Sequence, residues 1–436
     1  MITKRVWPAC AIVPLALLVS SNASAQVQTG PLVRTGPEAT AIRGETVATR
    51  ARPELEPLGV RLGSFLVFPS LGAQATWNDN VFAVRSSSEA KSDFVTDITP
   101  GLAVESNWSN HALNLRTGAD FGRYSDYTRL NYNDYFVEGD GRVDISRDSA
   151  LFVGAGYARE HEEPGAPDTP TDVKRPTEYD IFNGFLRHVQ TLGQFRGVGE
   201  ATVVRLDYDK SSLFTGDEAS TAARDRTVYA GGYQLGYEFL PQYEVFVRAQ
   251  GNRRDYDDRQ DVGGERVERS SDGFNAVTGV ALDLGGVFFG DVYAGYLAQY
   301  FGSDFNDVSG FTAGGTLTWN VTTLTTLNAR ASRTIEDTTQ AGSPAILRTS
   351  GGLSADHELL RNLILTAAAT ITNDDYVDSN RNDYYYVGGV GARYLMNRYV
   401  YGSLGYQLIR RTTDGSDSDA NSFWQNLVRV GITAQL

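Results

Sequence analysis

Four histidines, His111, His161, His188 and His357, are the only imidazoles in the chain. A hydrolase working at a membrane would need one of them bonded to a serine hydroxyl and oriented by a further polar group. His111 and His188 fall beside short turns, the wrong end for such a site, and His161 stands in Arg-Glu-His-Glu-Glu-Pro-Gly beside a long acidic stretch. His357 follows Asp356, but neighbours on a strand face opposite sides, so the two make no dyad. Solvated turn or lumen positions are the better reading, and no enzyme and no catalytic residue is expected. Metal chemistry fares no better. Asp417-Ser418-Asp419-Ala420-Asn421-Ser422 opens like a calcium loop, but Ser422 replaces the required glycine and Val428 stands where the bidentate glutamate belongs. Asp255, Asp257 and Asp258 read as a solvated face. The Gly-rich stretches at 263–270 and 310–319 lack the Lys-Thr and helix of a phosphate loop. No cofactor and no metal is expected.

The single cysteine, Cys10, excludes a disulfide framework and a thiolate site. It lies in a segment with the layout of a secretory signal. Lys4 and Arg5 form a positive start, Ala9 to Val19 an apolar core, and Ala23-Ser24-Ala25 a small-residue cleavage site. Residues 1–25 are expected to be removed. Loss of Lys4 and Arg5 takes the formal charge of −14 two units further negative, which argues against nucleic acid as a partner. Residues 26–58, with Pro31, Pro37, Pro53 and Pro57 and almost no aromatics, read as a flexible periplasmic leader, unable to bury enough apolar surface to offset its ordering entropy.

From residue 59 to residue 436 one pattern repeats. In His111–Tyr124, Leu113, Leu115, Thr117, Ala119 and Phe121 alternate with Asn114, Arg116, Gly118, Asp120 and Gly122. Tyr243–Asn252, Thr325–Ser332 and Asn426–Leu436 repeat it. A period of two is a strand with one apolar face. Three signs favour a membrane barrel over a soluble sandwich. Full charges stand in mid-segment on the polar face. Short turns at 107–110, 146–148, 240–242, 359–362 and 396–398 alternate with long acidic loops, the asymmetry of outer-membrane barrels. Aromatics such as Tyr135, Phe136 and Tyr384-Tyr385-Tyr386 gather near segment ends, where amphipathic rings meet the membrane interface. The expected fold is all-β: a transmembrane, antiparallel, up-and-down β-barrel of roughly 18 strands, an even number within the range such barrels adopt. In lipid every backbone amide must be paired, so the last strand must close on the first.

Alternation phase assigns the lumen. Asp97, Glu105, Arg116 and Asp120 point inward in the first strands, then Glu138, Asp140, Arg142 and Asp144, and later Arg248, Arg330 and Arg429. Mixed signs argue against a ring selective for one ion charge. They suit a hydrated passage, with Phe246 and Tyr401 as inward rings able to stack on sugars, or else cross-strand pairs that brace the wall.

The stretch from Arg52 adds a resemblance. Arg52-Pro53, Leu58-Gly59-Val60-Arg61, the strand start Pro69-Ser70-Leu71 and the strand exit Asn78-Asp79-Asn80-Val81-Phe82 resemble the outer-membrane β-barrel (porin 2-type) family of Gram-negative bacteria. Its architecture covers residues 50–436, and its members include proteins encoded in exopolysaccharide-biosynthesis operons. The resemblance implies an outer-membrane location and a passive, porin-like channel linked to exopolysaccharide export, and supplies no catalytic residue. The alternative is a closed structural or adaptor barrel in an envelope export complex. The expected partners are outer-membrane lipid and lipopolysaccharide, the outer-membrane assembly machinery, and exopolysaccharide or periplasmic export components.

Overall fold

Strands whose polar face points into water and whose apolar face points into lipid must curl until no edge is left. In a computed structural model of the chain, residues 44–85, 89–166, 174–212, 218–219, 221–415 and 422–436 are described. The signal segment, most of the leader and the calcium-like Asp417–Asn421 lie outside the described residues. The barrel is built from β1 (Phe65–Asn78), β2 (Asp93–Ser106), β3 (Ala112–Tyr124), β4 (Tyr132–Ser146), β5 (Ser149–His161), β6 (Glu178–Leu192), β7 (Phe195–Tyr208), β8 (Arg226–Leu240) and β9 (Tyr243–Tyr256). It continues through β10 (Ser271–Leu284), β11 (Phe288–Phe301), β12 (Val308–Thr322), β13 (Thr325–Glu336), β14 (Ile346–Leu360), β15 (Leu363–Tyr376), β16 (Asn382–Leu395), β17 (Val400–Asp414) and β18 (Phe423–Gln435). Each strand pairs antiparallel with its neighbours, and these 18 strands close into an up-and-down barrel.

Closure runs from Ser70 opposite Gln435 to Asn78 opposite Leu427. Both ends of this seam are stapled. Leu436 N donates to Pro69 O at 3.1 Å. At the far end Asp79 accepts from Asn426 N at 2.7 Å and from its Nδ2 at 2.6 Å. Asn80 Nδ2 donates to Trp424 O at 2.9 Å, and Asn78 Oδ1 accepts from Gln425 Nε2 at 3.2 Å. The Asn-Asp-Asn run that reads in sequence as a strand exit is thus the clasp that ties the first strand to the last.

The outer face dates the membrane band. On β9 the outward residues Tyr243, Val245, Val247, Ala249 and Gly251 give way to Arg253 and Asp255. On β7 Phe195 to Val203 give way to Arg205 and Asp207, and on β5 Leu151 to Tyr157 give way to Arg159. The apolar stretch is the length of about 9–11 residues that a tilted strand needs to cross a bilayer. Above it, at the long-loop end, the outer surface is a belt of ion pairs: Arg159 with Glu178 and Asp180, Arg205 with Asp257, Arg253 with Asp272. Segment 177–190, which lacks clean alternation, is β6 all the same, because its outward Asp180 belongs to that belt. Both chain ends of the barrel sit at the short-turn end, which faces the periplasm in barrels of this design.

Candidate functional site

Among the described residues, three pieces of chain that enter the barrel interior are held by charge. The first is at the short-turn mouth. Residues 44–58 belong by composition to the flexible leader, yet 44–52 of them lie along the inner wall. Val47 N donates to Thr326 Oγ1 at 3.0 Å, Asn320 Nδ2 donates to Glu45 O at 2.9 Å, and Gly44 lies flat on the Phe289 ring. Arg52, 2% exposed, donates to Glu358 Oε2 at 2.7 Å, and Arg50 Nη1 reaches the same oxygen at 3.3 Å. The composition argument counts only the surface a segment can bury in itself; here the barrel wall supplies it.

The second piece is the start of the loop after β5. Glu162 pairs with Arg224, Gly165 O accepts from Arg411 Nη1 at 3.1 Å, and Gly165 packs on Ala83 and the Phe423 ring. Loop residues that leave β5 therefore reach across to the wall formed by β17 and β18. Gly165 adopts φ +83° there, a left-handed conformation that favours glycine. The third piece, residues 337–345 between β13 and β14, crosses to β8 and β9. Asp337 accepts from Arg226 Nε at 2.9 Å and Arg254 Nη1 at 2.7 Å. Gln260 donates to Thr339 O, and Arg269 to Ser343 O and Gln340 O. Burial pushes Asp337 up, but Arg254 and Arg226 hold its carboxyl below the ordinary carboxylate range. Close by, Arg348 pairs with Asp374 at 2.6 Å, and Asp383 takes both Arg381 and Arg411 at 2.8 and 2.7 Å.

Between the second piece and the wall lies a cavity of about 390 Å³. Asp97, from β2, accepts from Tyr132 OH at 3.0 Å and Gln74 Nε2 at 3.3 Å. Gly122 makes room for that tyrosine: a Cβ there would stand 2.2 Å from the ring. His161 stacks on Tyr132 with ring centres 4.0 Å apart and bonds Asp134 at 2.9 Å, with Glu163 at 3.5 Å on its other nitrogen. Burial pushes Glu163 up, yet His161 and the charge of Arg429 hold its carboxyl below the usual range. Glu160 accepts from Tyr179 OH at 2.9 Å, and Arg429 donates to Gln407 Oε1 at 2.8 Å. Among the described residues no group of three carboxylates, histidines or cysteines is spaced to hold a metal ion.

The eleven residues assigned to the lumen from alternation fall into four places. Asp97, Asp120 and Arg429 line the cavity. Glu105, Arg116, Glu138, Asp140, Arg142 and Asp144 form a ladder across β2, β3 and β4 toward the short-turn mouth. In it Arg116 pairs with Glu138 at 2.9 Å and Asp140 at 3.6 Å, and Arg142 with Asp144 at 3.0 Å. Glu105 stands opposite Asn114. Arg248, on β9, lies 5.0 Å from the Tyr293 ring, and Arg330, on β13, stands opposite Gly352. Phe246 differs from its expected use as a sugar platform. It is 4% exposed and its ring covers Gly279, so its faces are occupied. The aromatic runs also split, because a period of two divides any consecutive run. Tyr135 and Tyr386 face outward, while Tyr132 and Tyr385 turn into the cavity.

Three of the four histidines are hydrogen-bonded beside short turns. His357 bonds Thr325 at 2.9 Å, His188 bonds Ser149 at 3.0 Å, and His111 Nδ1 accepts from Asp144 N at 3.0 Å. Each ties a short turn to the neighbouring strand. The Ser149–His188 pair has the first contact of a hydrolase but no third group bonded to the imidazole among the described residues, and the third group is what sets the tautomer.

A closed antiparallel barrel with a lipid-facing apolar band, a charged interior and inward-folded loops defines a porin-like outer-membrane protein. The model of the family described as Putative beta-barrel porin 2 matches residues 52–436, and the chain belongs to that family. It is a protein of the outer membrane of Gram-negative bacteria. Among solved structures, the copper transporter OprC aligns at 10% identity over 87% of this chain and 84% of that one, with a TM-score of 0.47. OccK1 (OpdK) of Pseudomonas aeruginosa aligns at 11% identity over 85% and 98%, TM-score 0.43. OccAB3 of Acinetobacter baumannii aligns at 13% identity over 85% and 99%, TM-score 0.44. No protein of curated function matches the sequence.

Proposed function

We propose that the barrel is a passive passage for hydrophilic solutes across the outer membrane, and that exopolysaccharide is what it serves. The observation that carries the first part is the interior itself. The inward chain segments are held in large part by hydrogen bonds and ion pairs such as Asp337 with Arg226 and Arg254. Groups of this kind tolerate water, and selectivity then comes from width, lumen charge and loop constriction. No bond chemistry is required of any residue. The exopolysaccharide part draws on the family resemblance, together with the hydroxyl, amide and carboxylate lining that suits sugar hydroxyls. Outer-membrane lipid and lipopolysaccharide, the assembly machinery and periplasmic export components complete the partners on this reading.

A second reading, an adaptor barrel without an open pore, is favoured by the docking of residues 44–58 at the periplasmic mouth. Liposome swelling with neutral sugars of increasing size separates the two. Passage of small sugars supports the channel, and swelling no faster than protein-free liposomes supports the adaptor. A strain lacking the protein tests the polysaccharide link, and normal exopolysaccharide secretion would refute it.

A further inference from the structure

Phe136 stands where an apolar ring is least expected. Of the large apolar side chains exposed on the barrel strands, it alone among the described residues has inward phase, between Asp134 and Glu138 on β4; the others face lipid. The ring is 41% exposed, so it meets the water of the lumen and not the membrane interface to which its place in the sequence assigns it. Its back rests on β3, where Gly118 stands opposite and a Cβ would come within 2.8 Å of the ring. Among the described residues no second ring and no guanidinium covers it. Two strands on, Phe185 of β6 repeats the arrangement: inward, partly exposed, its ring lying over Gly154 of β5. The row between the two rings is polar, with Glu138, Gly156 and Asn183 side by side on β4, β5 and β6. Glu138 is held by Arg116 at 2.9 Å while both groups stay exposed. Asn183 is exposed, its amide without a partner among the described residues, and Gly156 keeps the floor low between the two polar groups. By register the rings lie four residues along the strand and two strands across from one another, roughly 16 Å apart.

An apolar ring left in water is stabilised by a guest that covers it. With a carboxylate–guanidinium pair and an amide beside the ring, that guest must offer a flat apolar face edged by polar groups. A pyranose is such a body, since its axial C–H bonds form the face and its hydroxyls point outward. Two rings this far apart call for a chain of them. Arg116 balances the charge of Glu138, so the chain is neutral.

We infer that the inner wall of β4 to β6 is a binding track for a neutral oligosaccharide, with Phe136 and Phe185 stacking on sugar faces and Glu138 and Asn183 bonding the hydroxyls. The track rests on the hydrated lumen of the passage reading and deepens it by naming the wall that touches the glycan.

Saturation-transfer NMR on the purified barrel, in a detergent without a sugar head, tests it with cellohexaose, glucose and sorbitol, the last a flexible polyol with no fixed apolar face. Cellohexaose is expected to bind, with glucose at least about tenfold weaker because it reaches one ring only, and sorbitol weaker still. Phe136→Ala should weaken cellohexaose binding about tenfold, and Asn183→Ala by roughly threefold. Phe136→Tyr keeps the ring and should stay within about twofold. Tyr135→Ala removes the neighbouring ring on the lipid face and should leave binding unchanged. Unchanged heat-modifiable mobility in gels shows that the variants are folded. Absence of cellohexaose binding to the wild-type barrel overturns the inference. So does equal binding of sorbitol, or an affinity unchanged in Phe136→Ala. None of these readouts needs conduction. Liposome swelling without sugar binding would overturn the track and leave the passage, while binding without swelling would support the track and overturn the passage.

Discussion

Glu358 is the keystone of the periplasmic mouth, and its removal should release residues 44–58. The carboxylate is 5% exposed and receives Arg52 at 2.7 Å and Arg50 at 3.3 Å. Breaking a buried pair by deleting one partner costs about 3–5 kcal/mol, because the other charge is left stranded. The stranded Arg52 regains water once the segment lets go, so the lower end applies. About 3 kcal/mol is roughly a hundred-fold in the docked-to-free ratio. The segment carries its own reporter. Trypsin cleaves after arginine but not before proline, so Arg52-Pro53 is resistant and the Arg50–Ala51 bond is the one to follow. Cleavage tracks the open population when docking is fast relative to cutting. In detergent-solubilised barrel, Glu358→Ala should therefore speed cleavage after Arg50 by about two orders of magnitude, and Glu358→Gln, which keeps an acceptor, by less. Arg253→Ala is the control. Its pair with Asp272 on the outer belt is more than half exposed on both sides and far from the segment, and exposed pairs contribute little, so the rate should hardly move. A cleavage rate that ignores Glu358→Ala, or that responds as strongly to Arg253→Ala, would refute the keystone argument.

Two further outcomes follow from the other inward segments and the wall. Asp337 has its carboxyl lowered, so its contribution to docking residues 337–345 is complete above its ordinary value and is lost only as pH falls through the lower folded-state value. Hydrogen exchange in 337–345, corrected for intrinsic rates, should be alike at pH 7 and pH 5 and rise only below about pH 4; Asp337→Asn should raise it at every pH. Gly290 sits in β11 at φ +145°, where a Cβ would lie 1.9 Å from Thr316 O. Gly290→Ala should therefore cost more than about 1 kcal/mol, read as a lower unfolding temperature in heat-modifiability gels.

The barrel was legible because its physics is local. Leu113 to Phe121 against Asn114 to Gly122 states the strand, the faces and the solvent on each side, and pairing in lipid supplies the rest. The same phase puts Arg142 beside Asp144 on β4, and pairing with β3 then brings Arg116 to Glu138. What escaped is everything that depends on where a non-strand segment goes. Arg52 and Glu358 lie 306 positions apart, and nothing in either neighbourhood announces the other. Asp337 reads as a loop acid, and only the inward fold of its loop brings it to Arg226 and Arg254. Some signal was present for these partners, since Arg254 keeps the inward phase of Arg248 on β9. His161 reads in sequence as a solvated turn or lumen residue beside a long acidic loop. Its loop turns into the barrel, which converts it from a solvated group into the buried partner of Asp134 and Glu163. The Asn78-Asp79-Asn80 run drew notice for the right reason, a strand exit, but its role as a clasp on β18 needed the closed barrel.

The account's central claim is a water-filled passage whose periplasmic mouth is narrowed by the N-terminal segment. Single-channel recording in planar bilayers addresses it directly, comparing residues 26–436 with residues 59–436. The account predicts discrete conductance steps for both, larger in the shortened form. Silence from both forms, with the proteins shown to be folded and inserted, would contradict it.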